Sequence, residues 1–198
     1  MSRHIAQVSS LGSKGERTRN SIIDCASQLF YQHGYNVTSF SDIVAASGLF
    51  RGNIYHYFHT KDEILKAVID RHLDQYRALL VRWEQDGSDA KARLHAFVDM
   101  ITGRRKEVVE FGCPIGSLNS ELAKNQRGPQ QAARAMFDLF RDWLGARFRE
   151  LGKTRDAESL ALHLLGRAQG IAVMAQVYRD TKLLRRETDL LQAWIDKL

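Results

Sequence analysis

The sequence predicts an all-α protein, and three observations carry that prediction. Two of its 198 residues are proline, Pro114 and Pro129, so few positions lack the backbone N–H that a helix needs. Apolar residues recur three and four apart over long stretches, the period of a helix face, and no stretch alternates convincingly as a strand would. Helix-start signals of the capping-box form, Ser13-Lys14-Gly15-Glu16 and Thr60-Lys61-Asp62-Glu63, stand where such stretches open. With 44% hydrophobic residues the chain can bury a sizeable core. The expected layout is a flexible arm at 1–12, a three-helix helix-turn-helix domain at 13–60 and a larger C-terminal helical bundle at 61–198, about nine helices in all.

The first helix carries Ile22, Ala26, Leu29, Phe30 and His33 on one face, and Gly34 is placed to end it in a left-handed conformation. Ser39-Phe40-Ser41-Asp42 starts a short second helix with Ile43 and Val44 inward. Gly48 then supplies the positive φ of a tight turn, which Leu49 anchors. A third helix is expected over 51–58, burying Ile54 and Phe58. Thr60 caps a long fourth helix through Ile64, Leu65, Val68, Ile69 and Leu73 towards Trp83. After Asp86-Gly87-Ser88 one helix is expected over 89–109. Pro114 and its flanking glycines break the pattern, and Ser117 is expected to cap a short helix to Asn125. Gly128-Pro129 opens a helix that presents Ala133, Met136, Phe137, Phe140, Trp143, Leu144 and Phe148 until Gly152-Lys153-Thr154. The last two helices are expected over 155–179 and 187–197.

Composition narrows the function. A net charge of +6 and a pI near 9.5 suit a polyanionic partner. The charge is spread, with six Lys/Arg against four Asp/Glu in residues 1–62 and 23 against 19 beyond. Arg3, Lys14, Arg17 and Arg19 nevertheless crowd one end. Cys25 and Cys113 are the only cysteines; two thiols make neither a metal set nor a disulfide framework, which favours a reducing setting. The first 20 residues hold no apolar core of signal-peptide length. No membrane span is expected either, since no apolar run reaches about 18 residues. The chain shows no Ser-His-Asp order, phosphate loop or metal-ligand spacing, so it is not expected to be an enzyme, and no cofactor or metal is expected.

The run from Thr38 to Asp62 is the most informative part of the chain. It places two short apolar-periodic segments around Gly48, the layout of a helix-turn-helix. The second helix of such a unit enters the major groove with its N-terminal side chains on base edges. Here those are Phe50, Arg51, Asn53, Tyr55 and His56, with Gly52 allowing close backbone approach. Arg51 suits guanine O6 and N7 or a phosphate, and Asn53 suits adenine. The hydroxyls of Tyr55 and Tyr57 suit phosphates, as does Lys61 at a helix start. Thr18, Arg19, Ser39 and Ser41 are further phosphate contacts. Tyr55 and Tyr57 also fit a core, but two tyrosines flanking His56 cannot all face inward.

These residues closely resemble the tetracycline-repressor (TetR) family of bacterial regulators over residues 16–69. The match comprises the first-helix spacing ending at Gly34, the Phe40, Ile43, Ala46 and Gly48 framework, and Gly52-Asn53-Ile54-Tyr55-His56-Tyr57-Phe58 followed by Lys61 and Glu63. One departure is Phe50, where the family commonly has a small polar residue; it suits a thymine methyl or a changed turn. The resemblance implies a cytoplasmic, nucleoid-associated repressor of a bacterium that binds a palindromic operator in double-stranded DNA as a homodimer. It also implies release by a small-molecule effector held in the C-terminal domain, with no membrane partner.

The body can be read accordingly. Small residues on the penultimate helix, Gly166, Gly170 and Ala172, and an apolar stripe on the last, Leu191, Trp194 and Ile195, suit a four-helix interface between two copies. The same stripes also suit packing within one subunit. An effector pocket is expected among Phe97, Met100, Phe111, Cys113, Met136, Phe137, Phe140, Trp143, His163 and Gln176, although a core can use most of these. Gln169 is another polar group on the same helix as His163. Cys113, in a Gly-Cys-Pro break ahead of a helix start, fits either a reactive thiol that senses electrophiles or oxidants, or a buried apolar residue. The resemblance extends to a TetR subgroup with a Gly-Cys element there. The remaining alternative is an architectural DNA-binding protein with no effector.

Overall fold

A computed structural model describes residues 13–125 and 127–198; the arm expected at 1–12, with Arg3, lies outside the described residues. Among these residues there are ten α-helices and no strand. They are α1 (Lys14–His33), α2 (Phe40–Ser47), α3 (Arg51–Tyr55), α4 (Lys61–Asp86), α5 (Ala90–Gly103), α6 (Arg105–Phe111), α7 (Pro114–Asn125), α8 (Arg127–Glu150), α9 (Ala157–Tyr178) and α10 (Thr181–Asp196).

Helices α1 to α3 form the small N-terminal unit. Ser13 accepts the Glu16 N–H while the Glu16 carboxylate accepts the Ser13 N–H, so the expected capping box is complete. Ile22, Ile23, Ala26 and Phe30 of α1 close over Ile43 of α2, Ile54 of α3 and Phe58. Gly34 ends α1 at positive φ, but its ψ of 151° puts it outside the left-handed helical region, because the chain turns into an extended segment. Gly48 adopts the left-handed helical conformation, φ 65° and ψ 12°.

Helix α4 runs from this unit into the body. Thr60 accepts the Glu63 N–H, but Glu63 accepts from His59 rather than Thr60, so the second expected capping box is offset by one residue. Ile64, Leu65, Val68 and Ile69 pack towards α1, and the C-terminal half lies on α8. In the body α8 packs on that half of α4, α9 packs on α8, and α10 packs on α5 and α9, with α6 against α9 and α7 against α8 and α1. One buried cluster runs without interruption from Ile22 to Ile195.

Four boundaries differ from the sequence expectation. The single helix expected over 89–109 is broken at Arg104, which leaves α-helical geometry and separates α5 from α6. The short helix α7 starts at Pro114, which fits a first helical position because it needs no N–H there; Ser117 is therefore inside the helix, not its cap. Helix α3 ends at Tyr55, with His56 to Phe58 continuing as a turn. Helix α10 starts at Thr181, because Asp180 accepts the Lys182 and Leu183 N–H groups. Helix α9 also corrects the reading of apolar runs: its 22 residues, with mean hydropathy 1.2 in the most apolar window, are long and apolar enough to cross a membrane. Here it packs as a core helix against α8, α10 and α6.

Candidate DNA-reading head and effector cavity

The α2–turn–α3 unit presents an exposed polar end. Ser39 caps α2, and its backbone N–H and hydroxyl donate to the Asp42 carboxylate, holding that carboxyl below the usual carboxylate range. Leu49 packs on the core from the turn, whereas Phe50, the N-cap residue of α3, stands 85% exposed. Arg51, Gly52, Asn53, Tyr55 and His56 are exposed beside it, and a Cβ placed on Gly52 meets nothing within 4 Å. The fold therefore makes no packing demand for glycine at that position. Ile54 and Phe58 point the other way and are buried, as expected.

The aromatic groups divide between core and surface. The Tyr55 ring stacks on Phe40 at 5.0 Å, and its hydroxyl accepts from Arg51 Nη2 at 3.1 Å. Phe40, Tyr55 and Arg51 thus form a supported stack that fixes the Arg51 guanidinium at the start of α3. Tyr57 is half-buried with its hydroxyl beside Gly15, and His56 meets its ring edge-on at 4.9 Å. Arg19 lies over the Phe58 ring at 5.0 Å with its side chain exposed. Thr18 donates to the Lys14 carbonyl within α1. Ser41 is exposed at the start of α2.

Lys61 is placed differently from a simple phosphate clamp. Its Nζ donates to the carbonyls of Tyr35 and Thr38, both at 2.8 Å, and sits 4.1 Å over the Tyr35 ring. Two of three ammonium N–H groups therefore brace the α1–α2 connection, leaving one for a phosphate. The same connection is held from the body. Glu121 of α7 accepts the backbone N–H of Tyr35 at 2.8 Å and of Asn36 at 2.6 Å. Tyr31 of α1 donates to the Gly112 carbonyl at 2.8 Å, just before α7.

At its other end α7 borders a partly open cavity of about 200 Å³ lined by α4, α5, α6, α8 and α9. Of the expected pocket residues, Phe97, Met100, Cys113, Phe137 and Phe140 line it, with Gln169 among the polar groups. The other five do not. Phe111 packs edge-on against Tyr31 at 5.5 Å in a polar cleft between α1, α4 and α6. Met136 is buried on the α1 side of α8. Trp143 donates its indole N–H to Glu84 at 2.5 Å and packs against Trp83. His163 is exposed on α9 beside the Trp194 ring. Gln176 fills the space over Gly112, where a Cβ would lie 2.6 Å from its Oε1. Periodicity assigned these five to apolar or inward positions without saying which side of a helix layer each serves.

Sequence reading missed Tyr76 and Leu79 on α4, Arg104 at the helix break and Leu165 on α9, all of which line the cavity. The signal for Tyr76 and Leu79 is their spacing from Leu73 on α4. For Arg104 the one signal is the preceding Gly103, which ends α5 inside what reads as one helix.

The wall is electrically quiet. Burial pushes the Tyr76 phenol well above its ordinary value, and pushes Tyr31, beside the same break, up to about 12. Burial also pushes His72, stacked on Tyr76, below its ordinary value. Burial raises the Cys25 thiol on α1 in the same way, in keeping with a packing role. Cys113 accepts the Gly116 N–H on its Sγ at 3.5 Å, so the thiol takes the place of an N-cap acceptor.

The expected dimer residues are corrected in part. Ala172, Leu191 and Ile195 are buried within the chain, at 2%, 2% and 0% exposure, because the inner faces of α9 and α10 close on α8 and α5. Trp194 packs on Phe148 and His163. Gly166 and Gly170 are exposed on the outer face of α9 together with Leu162, Val173, Met174 and Val177.

Residues 22–68 match the family model described as "Bacterial regulatory proteins, tetR family", and residues 90–189 match "Transcriptional regulator LmrA/YxaF-like, C-terminal domain". Among curated proteins, an uncharacterized HTH-type transcriptional regulator from Lactococcus lactis subsp. lactis is 26% identical over 91% of this chain and 94% of its own. The HTH-type transcriptional regulator TtgR of Pseudomonas putida is also 26% identical, over 92% of this chain and 90% of its own. Among solved structures, a TetR transcriptional regulator from Chloroflexus aurantiacus superposes with a TM-score of 0.81 at 26% identity, covering 92% of this chain and 96% of that one. These relatives are transcriptional regulators rather than enzymes.

Proposed function

Because this chain belongs to the TetR family of bacterial transcriptional regulators, we propose that it is a repressor whose homodimer grips a palindromic operator and lets go when a small molecule fills the body cavity. The observation that carries the reading is the reach of α7. Its first turn, Pro114 and Ile115, is cavity wall, and two turns further on Glu121 holds the backbone that leads into the reading head. A ligand that displaces the first turn moves a rigid helix, and with it the Tyr35–Asn36 connection and the tilt of α2 and α3.

Helix α3 supplies the base contacts through Arg51 and Asn53, and the exposed ends of α1 and α2 supply phosphate contacts. The second copy docks on the outer face of α9, where Gly166 and Gly170 permit close helix approach beside Val173 and Val177. The protein works in the cytoplasm on nucleoid DNA. An architectural role is less well supported, since a DNA-coating protein needs no apolar cavity in its body.

The test is thermodynamic reciprocity. Operator affinity measured by fluorescence anisotropy falls when effector is present, and effector affinity falls by the same factor when operator is present, by roughly 5- to 150-fold in typical coupled systems. A compound that fills the cavity while leaving operator affinity unchanged contradicts the proposal.

A second reading rests on Cys113, which lines the cavity and whose Sγ accepts from the first turn of α7. Alkylation there adds bulk at the same lever. It predicts that N-ethylmaleimide modifies Cys113 before Cys25 by intact mass and weakens operator binding, and that Cys113→Ser binds operator but ignores the reagent. An unmodified Cys113 in the folded dimer removes this reading and leaves the non-covalent one.

A further inference from the structure

The shape and chemistry of the cavity specify the class of molecule that fills it. We infer that the effector is a small, uncharged, largely aromatic molecule with a hydrogen-bond acceptor such as a carbonyl at one end, received by Tyr76 and Gln169. This inference rests on the cavity being the effector site.

Size comes first. About 200 Å³ is below the roughly 300–1,000 Å³ of pockets that take drug-sized ligands, so the space suits two fused rings rather than a polycycle. The surface of that space is mostly apolar. Phe97, Phe137 and Phe140 offer ring faces and edges, and Met100 offers a polarisable thioether that adapts to a flat ligand.

Charge is the second constraint. Arg104 is the one ionisable cation on the wall, and it is already bridged to Glu107, with Nε 2.6 Å from Oε2. It also lies over the Tyr31 ring at 5.6 Å. A carboxylate entering the cavity therefore competes with Glu107 for the one cation and loses its hydration among apolar side chains. The surroundings disfavour both signs: burial raises the phenols of Tyr76 and Tyr31 and lowers the imidazole of His72. An ammonium group finds no carboxylate on the wall.

The third constraint is two polar groups left open. Among the described residues the Tyr76 hydroxyl and the Gln169 carboxamide make no hydrogen bond, although both side chains line the cavity. The Gln169 Oε1 lies against Gly116 of α7, so close that a Cβ there would come within 2.3 Å. That placement turns the amide N–H groups of Gln169 away from α7. A phenol O–H and an amide N–H₂ are donors, and a neutral donor pair in an apolar wall selects a ligand that brings an acceptor. Gln169 also connects the ligand to the lever, since it touches the first turn of α7.

The experiment uses three probes on one ring frame with the full-length protein: 2-acetylnaphthalene, its acceptor-free analogue 2-isopropylnaphthalene, and 2-naphthoate. Equilibrium dialysis gives each affinity. The ketone is expected to bind about tenfold more tightly than the hydrocarbon, the amount one buried hydrogen bond gives, and at least about tenfold more tightly than the naphthoate. Tyr76→Phe or Gln169→Leu is expected to bring the ketone within about threefold of the hydrocarbon, while hydrocarbon binding, which reports an intact cavity, stays within about threefold of wild type. The inference is overturned if naphthoate binds most tightly, if the ketone preference survives in both variants, or if none of the three probes binds. Operator binding of the same preparations is titrated without probe, so a failure over ligand class is distinguishable from a failure of DNA recognition.

Discussion

The carboxylate of Glu121 on α7 accepts the backbone N–H of Tyr35 at 2.8 Å, 86 residues away in sequence. With the adjacent bond to Asn36 at 2.6 Å, it is a charge-assisted joint between body and reading head. The joint has a single side chain on one side and backbone on the other, which makes it easy to break without touching DNA or ligand. Glu121→Ala is expected to lower stability by about 1–3 kcal/mol, a fall of roughly 2–4 °C in melting temperature per kcal/mol for a chain of this size. Its operator affinity should become less sensitive to a cavity ligand than that of wild type. A variant that responds to ligand as wild type does shows that the signal takes another route.

Recognition should separate into two kinds of contact. Arg51→Ala and Asn53→Ala are expected to change which base is preferred, by about 1–3 kcal/mol each where a bidentate contact exists. Arg19→Ala is expected to weaken binding to all duplexes alike and to lower the salt slope by about one. Tyr55→Ala removes the ring that supports Arg51 from Phe40 and should resemble Arg51→Ala in specificity. Competition titrations against single-base operator variants distinguish these outcomes.

Assembly should depend on the outer face of α9 and not on the inner one. Val173→Asp is expected to give a folded monomer in sedimentation, because Val173 is exposed within one chain. Leu191→Asp is expected to unfold the chain, since it buries an unpaired carboxylate where Leu191 is 2% exposed. A dimeric Val173→Asp protein places the interface elsewhere.

Acid should destabilise the junction through His72. Its Nε2 lies 3.0 Å from the Ser27 hydroxyl, its ring stacks on Tyr76, and burial, with Arg104 and Arg71 nearby, holds its pKa below 6.5. The folded state therefore disfavours the imidazolium. His72 imposes no penalty above pH 6.5, and stability falls as pH drops from 6.5 towards the folded-state pKa, below which the loss is complete. His72→Gln is expected to flatten that part of the profile in urea titrations at several pH values. An unchanged slope assigns the acid sensitivity to other groups.

The sequence made the reading head legible because each residue there is set by local chemistry. Ser13 and Ser39 mark helix starts, Gly48 marks the turn, and Ile54 and Phe58 follow the helical period inward. The body was less legible because its faces are decided by long-range packing. Trp143 and Phe97 read alike as inward aromatics, yet one is held by Glu84 and the other lines the cavity. Arg104 breaks the helix directly after Gly103, and a lone glycine inside a helical pattern is too common a feature to place a break by itself. Ala172 reads as an interface residue by its size, and burial against neighbouring helices gives it another place. The Glu121 joint has no sequence signature, since one partner is backbone.

The most direct test of the account is selection from random duplexes with the full-length protein, followed by a hydroxyl-radical footprint on the enriched sequence. The account predicts a partly palindromic motif with two protected half-sites on one face of the duplex, centred about 34 Å or somewhat more apart. It also predicts that Asn53→Ala weakens the footprint on that sequence and relaxes the selected base at the position Asn53 reads. A folded dimer that enriches no sequence and protects no segment would contradict it.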